Sequence, residues 1–199
     1  MNAERMQVLL CSGYLSTEYM FFYFKIYVFL SIATVLGNAV ILAALRKESS
    51  LNSHSKLLYS CLAFTDLLVG LIVGPAAAVH FMMWSIDMGQ LVDLCVYSAA
   101  ITILSFSMLT LVSLLTLTAI SVDRLLALSL GLRYRHVVTM RRIQALVVCV
   151  WIPSISYALM MPLGNYIVAK IYGYTLQSVC LLVSAFCYAK IVLDRKSVV

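Results

Sequence analysis

Residues 94–125 read LCVYSAAITILSFSMLTLVSLLTLTAISVDRL. No charged side chain occurs from Leu94 to Val122, and then Asp123 and Arg124 arrive together. A helix needs about 20 apolar residues to cross the hydrocarbon core of a bilayer. The run is continuous and does not alternate with period two, so it reads as a membrane-crossing helix and not as a barrel strand. Ser105, Ser107, Thr110, Ser113, Thr116, Thr118 and Ser121 run down it. In such helices hydroxyls mostly serve helix–helix contact or bond back to their own helix.

The same pattern extends in both directions. No charge lies between Lys25 and Arg46, from Ile143 to Ala169, or from Ile171 to Ala189; between Lys56 and Asp93 the only charges are Asp66 and Asp87. The predicted spans are residues 22–45, 56–79, 91–126, 143–161 and 166–192. The fold class is therefore all-α, a polytopic membrane bundle of five helices. Composition agrees. The 199 residues are 63% hydrophobic and 11% charged, with mean hydropathy +1.01, against about 25% charged in a soluble domain. That excludes a soluble enzyme, a disordered tail and a nucleic-acid module.

The net charge of +6 is a topology signal, because Lys and Arg favour cytoplasmic loops. Arg46, Lys47 and Lys56 share one side with Arg124, Arg133, Arg135, Arg141 and Arg142, and with Lys190, Arg195 and Lys196. Arg5, Lys25 and Lys170 fall on the other. The N-terminus is expected outside and the C-terminus in the cytoplasm. Residues 1–21 form an extracellular segment, with no signal-peptide pattern, and residues 22–196 form the transmembrane domain. Of six cysteines, Cys11 and Cys95 alone could face an oxidising exterior, and a bridge between them is one reading. No metal-ligand spacing appears. His54, His80 and His136 are scattered, and no nucleophile–base pair or phosphate loop exists, so no catalytic or metal residue is assigned and no enzyme is expected.

Ionisable groups in mid-membrane are costly and usually face the bundle interior. Asp66 lies ten residues into the second span, Asn38 deep in the first, and Ser113 at a matching depth in the third. Asp123 and Arg124, at a membrane boundary, read equally as an interfacial anchor or as a switch in which the Arg is held and then released.

Several short motifs occur in order: Gly37-Asn38-Ala39-Val40, Leu62-Ala63-Phe64-Thr65-Asp66-Leu67-Leu68, Ser121-Val122-Asp123-Arg124-Leu125 and Gly131-Leu132-Arg133-Tyr134. Trp84, Trp151 and Tyr188 accompany them. On these residues the chain resembles rhodopsin-like (class A) G-protein-coupled receptors, whose motifs are GNxxV, LAxxDLL, Asp-Arg-Tyr and Pro-Leu-Arg-Tyr. The resemblance implies a plasma-membrane receptor that relays an extracellular ligand signal to a heterotrimeric G protein. Asn38, Asp66 and Ser113 would form a polar centre holding a sodium ion. Asp123 and Arg124 would form the latch at the G-protein face, with Tyr188 supporting Arg124. Trp84 and Trp151 would be structural markers, and Phe106, Ser107 and Thr110 would line the ligand pocket. Membrane lipid and receptor oligomers are the other implied partners, and nucleic acid is not one.

The departures also carry information. The family has seven spans, so a chain with five is expected to be a fragment or a truncated form. A signalling-incompetent product that associates with full-length receptors is the alternative. Leu125 replaces the motif's Tyr. Ala99 stands where the third span usually has its disulfide Cys, the loop around residues 163–165 has none, and Cys180 replaces the fifth-span Pro. The short second outer loop, the missing loop disulfide and the missing fifth-span Pro are similar to melanocortin receptors, which suggests the wider melanocortin–adenosine branch. Phe106, 17 residues before Asp123, stands where an amine receptor has its Asp, which disfavours an aminergic ligand. A small transporter is a further reading, in which Gly70, Gly74 and Pro75 would mark a helix break.

Overall fold

The computed structural model describes residues 17–49, 51–85, 92–160 and 166–197. Its elements are α1 (Thr17–Lys47), α2 (Ser53–Leu68), a π-helical turn (Val69–Val73), α3 (Gly74–Ser85), α4 (Val92–Leu130), a 3-10 turn (Gly131–Arg133), α5 (Tyr134–Val137), α6 (Met140–Met160) and α7 (Tyr166–Ser197). With α2, the π turn and α3 forming one rod, five helices are long and apolar enough to cross a membrane. Among the described residues there is no strand. The rods coincide with the five predicted spans and overrun most of their ends. Charges mark where hydrocarbon stops, but helical hydrogen bonding continues into the polar interface. Thus α4 runs on to Leu130, and α1 begins at Thr17, inside the stretch expected to be an N-terminal segment.

Helix α4 is the hub. It packs against α2, α3, α6 and α7, while α1 packs on α2 and α3. Apolar burial does not drive helices together in lipid, so close approach through small residues does. At Gly74 an added Cβ would lie 2.5 Å from Ser31 Cβ, and at Gly70 it would lie 2.7 Å from Val35 Cγ2. On the other side of the bundle, Gly173 of α7 admits the Tyr157 ring of α6 at 2.5 Å from the same hypothetical atom.

The π turn has a chemical cause. Pro75 has no N–H and its ring crowds the preceding turn. The Gly74 N–H bonds to Val69 O, one residue further back than in an α-helix. In that register the carbonyl of Gly70 would need the N–H that Pro75 lacks. Ser31 Oγ of α1 supplies the donor instead, at 2.6 Å. The break expected at Gly70, Gly74 and Pro75 is therefore one widened turn stitched to a neighbouring helix, with the rod continuing through it.

At the basic end, α4 stops where Gly131 adopts φ +49°, the left-handed conformation that glycine takes without strain. Proline, the family's residue at this position, is locked near −65°. The turn folds Tyr134 and Val138 back onto Leu58, Ile120 and Ile143, a buried cluster joining α2, α4, α5 and α6. Cys11, the side chain of Trp84 and residues 163–165 lie outside the described residues. Cys95 is disulfide-bonded, while Cys61, Cys149, Cys180 and Cys187 are free.

Candidate functional site

Two polar constellations lie along α4. The first is in mid-bundle. Asp66 Oδ1 accepts a hydrogen bond from Ser113 Oγ at 2.8 Å, and Ser113 Oγ lies 3.1 Å from Thr65 Oγ1. Thr65 is fully buried and also donates to Leu62 O at 2.8 Å. A carboxylate away from water requires such donors or a cation. The structure thus brings Asp66 and Ser113 together. It does not join Asn38 to them, because Asn38 Nδ2 donates to Thr34 O of its own helix at 2.9 Å. An amide on a neighbouring helix satisfies itself more cheaply by back-bonding than by reaching across. Thr65 had no assigned role in the sequence. Its only signal was its place beside Asp66 in the LAFTDLL run.

The second constellation is at the basic end. Asp123 is buried, 5% exposed. Its Oδ1 accepts from Tyr134 Oη at 2.6 Å and its Oδ2 from Ser55 Oγ at 3.1 Å. Burial, followed by the bond to Asp123 and that residue's charge, pushes the Tyr134 phenol up to about 12. Arg124 does not pair with Asp123. Its guanidinium carbon stands 5.4 Å from the centroid of the Tyr59 ring, a cation–π contact. Adjacent residues on a helix point about 100° apart, so Asp123 turns into the bundle while Arg124 turns to its rim. The neighbour-held Arg of the switch reading is thus replaced by a carboxylate tied to α2 and α5 and an Arg resting on an aromatic face. Arg124 and Tyr188 share a cleft of about 430 Å³, also lined by Ala127, Leu128 and Ile191. In the sequence Tyr134 stands inside a motif with no role of its own, and Ser55 carries no signal at all.

Most of the α4 hydroxyls bond to their own helix. Ser107, Thr116 and Ser121 donate to Leu104, Val112 and Leu117 carbonyls. Thr118 also reaches α7, at 3.3 Å from Cys180 O and 3.2 Å from Ser184 Oγ. Of the residues expected to line a ligand pocket, Phe106 is 54% exposed, Ser107 is buried and Thr110 is half-buried. Trp151 is half-buried on α6.

A family model for the 7 transmembrane receptor (rhodopsin family) matches residues 37–193. Among curated proteins, the chain is 31% identical over 130 residues to the 5-hydroxytryptamine receptor 1B of Vulpes vulpes. It is 30% identical to the receptors of that name from Mus musculus and Homo sapiens. Each match covers 65% of this chain and 32% of the relative, so the chain spans about a third of the length of these relatives. None of these three relatives supports the melanocortin–adenosine branch.

Proposed function

The chain belongs to the rhodopsin family of seven-transmembrane receptors, a receptor family and not an enzyme family, and from that premise we propose that it carries the relay of a G-protein-coupled receptor. In this reading it is a multi-pass plasma-membrane protein with its N-terminus outside and its basic end in the cytoplasm. An extracellular ligand favours one arrangement of the bundle over another, and can do so only by its difference in affinity for the two. The basic end then offers Arg124 to a heterotrimeric G protein. The observation that carries this is the shared cleft: Arg124 and Tyr188, from α4 and α7, line one concave surface, while Asp123 is held separately by Tyr134 and Ser55. Arg124 is therefore not locked to its neighbour.

The oxygens of Asp66, Ser113 and Thr65 suit a hard monovalent cation, and we assign a regulatory sodium ion to them, with Asn38 outside its reach in this arrangement. The relatives' name points to 5-hydroxytryptamine, whose ammonium would want a carboxylate partner. Phe106 stands at that position, so an amine ligand is not proposed for this chain. A second reading is association with another receptor. The exposed apolar residues Leu181, Leu182 and Phe186 of α7 favour it, since they are a surface that a further membrane helix could cover.

The test uses a peptide copied from the carboxyl-terminal tail of Gα and measures its binding to the chain in nanodiscs. Arg124→Ala is expected to weaken binding about tenfold or more, in line with the loss of a charge-assisted contact. Unchanged binding would overturn the assignment of Arg124.

A further inference from the structure

Asp123 and Arg124 are adjacent on α4, yet α2 meets both of them. Ser55 Oγ donates to Asp123 Oδ2 at 3.1 Å, and the Arg124 guanidinium carbon lies over the Tyr59 ring, 5.4 Å from its centroid. Ser55 and Tyr59 stand four residues apart, so one face of α2 presents the pair. Tyr134 Oη donates to the other carboxylate oxygen. Asp123 thus takes its hydrogen bonds from Ser55 and Tyr134, and the charge of Arg124 is met by an aromatic face. A guanidinium is attracted by the negative face of a ring, and more strongly where water is scarce. Arg124 and Tyr59 are both half-buried.

The ring is held in place by its surroundings. Tyr59 packs against the buried cluster that contains Leu58, Ile120 and Tyr134, so the core that brings Tyr134 to Asp123 also supports the ring beneath Arg124. The cleft that Arg124 shares with Tyr188 is lined from α4 and α7. Helices α2 and α7 are different neighbours of α4. One side chain therefore has two attractors: the Tyr59 ring on α2, and an acceptor that a partner brings into the cleft. A group that spends part of its time held elsewhere lowers the apparent affinity of its partner by the fraction that is free.

We propose that Tyr59 is a positioning residue for Arg124: its ring seats the guanidinium in the chain alone, and a partner entering the cleft must draw Arg124 off the ring to bind it. Tyr59 thereby restrains partner engagement. The restraint rests on the G-protein reading of the cleft, whereas the seat rests only on the contact between α2 and α4. An aromatic face at position 59 is the whole requirement. Phenylalanine keeps that face, tryptophan offers a stronger one, and leucine fills the space without one.

Two readouts on the full chain in nanodiscs separate the seat from the restraint. The first needs no partner. It follows the side-chain Nε–H resonance of Arg124, assigned by its loss in Arg124→Lys. The ring current of Tyr59 is expected to displace this resonance. The displacement should persist in Tyr59→Phe and vanish in Tyr59→Leu. The second readout is binding of the Gα carboxyl-terminal peptide. Tyr59→Leu is expected to tighten binding about fivefold, Tyr59→Phe to stay within about twofold of the parent chain, and Tyr59→Trp to weaken it. Loss of folding cannot mimic a gain in affinity, so the leucine variant distinguishes a restraint from a merely structural ring. Binding by Tyr59→Leu that is equal to or weaker than that of the parent chain would overturn the restraint. An Arg124 resonance at the same position in Tyr59→Leu and in the parent chain would overturn the seat. Unchanged binding in Arg124→Ala, with the resonance still moved by Tyr59→Leu, would overturn the G-protein reading and the restraint with it, while the seat stands.

Discussion

Asp123 is the residue on which the basic end turns, and its partners set what a substitution does. Tyr134→Phe removes the shorter of its two hydrogen bonds and leaves a buried carboxylate with Ser55 alone. Hydrogen bonds to charged groups are worth ~1.5–3 kcal/mol, so a loss of that order is expected in thermal unfolding of the detergent-solubilised chain. The pH dependence has a definite sign. Folding raises the Tyr134 phenol above its ordinary value of 10.0, to about 12, because the fold favours the neutral donor. The stability it contributes is complete below pH 10 and is lost as pH rises from 10 towards 12. Melting curves across that window should fall more steeply for the parent chain than for Tyr134→Phe, and parallel curves would remove Tyr134 from the network. Asp66 and Asp123 stood out in the sequence because a carboxylate in or beside an apolar run is costly and must have a reason. Ser113 stood out with Asp66 by its matching depth, but Ser55, Thr65 and Tyr134 did not, because they are common residues whose role appears only when a partner comes within 3.1 Å.

The clearest element is the α2–π–α3 rod. Ser31→Ala would leave the Gly70 carbonyl without its donor, and a destabilisation of ~1 kcal/mol is expected, the ordinary value of one hydrogen bond. Gly74→Ala is expected to cost ~1–3 kcal/mol as an overpacked contact, because the new Cβ meets Ser31 Cβ at 2.5 Å and the Ser31 Cα behind it at 3.3 Å. Both are read as shifts in unfolding midpoint. An Ala at 74 without cost would contradict the close approach of α1 and α3. Gly131→Pro forces φ from +49° to about −65°. It is expected to destabilise more than Gly131→Ala, although Pro is the residue that the resemblance would suggest. The spans themselves were legible, since twenty apolar residues between charges leave a helix few alternatives. The π turn was half legible: glycines and a proline announced an irregularity, but its widening and its donor depend on Ser31, 39 positions away in sequence.

For the whole molecule, the basic residues carry two kinds of information. Their distribution along the chain signals orientation, which sequence alone expresses. Their individual contacts, Lys56 with Glu48 O, Arg142 with Val137 O and Arg124 over the Tyr59 ring, appear only once the chain is folded. The polar residues divide in the same way. Asp66 with Ser113, and Arg124 with Tyr188, were paired by position in the family and are adjacent in space. Asn38 and the Asp123–Arg124 pair are arranged otherwise: Asn38 bonds within its own helix, Asp123 bonds to Tyr134 and Ser55, and Arg124 lies over the Tyr59 ring. All of this supposes an odd number of crossings with the basic rim in the cytoplasm. The most direct measurement is tag accessibility at the two termini in intact and permeabilised cells. The expected result is an N-terminal tag labelled in intact cells and a C-terminal tag labelled only after permeabilisation. Both tags labelled from the same side would contradict the five-crossing bundle and the relay built on it.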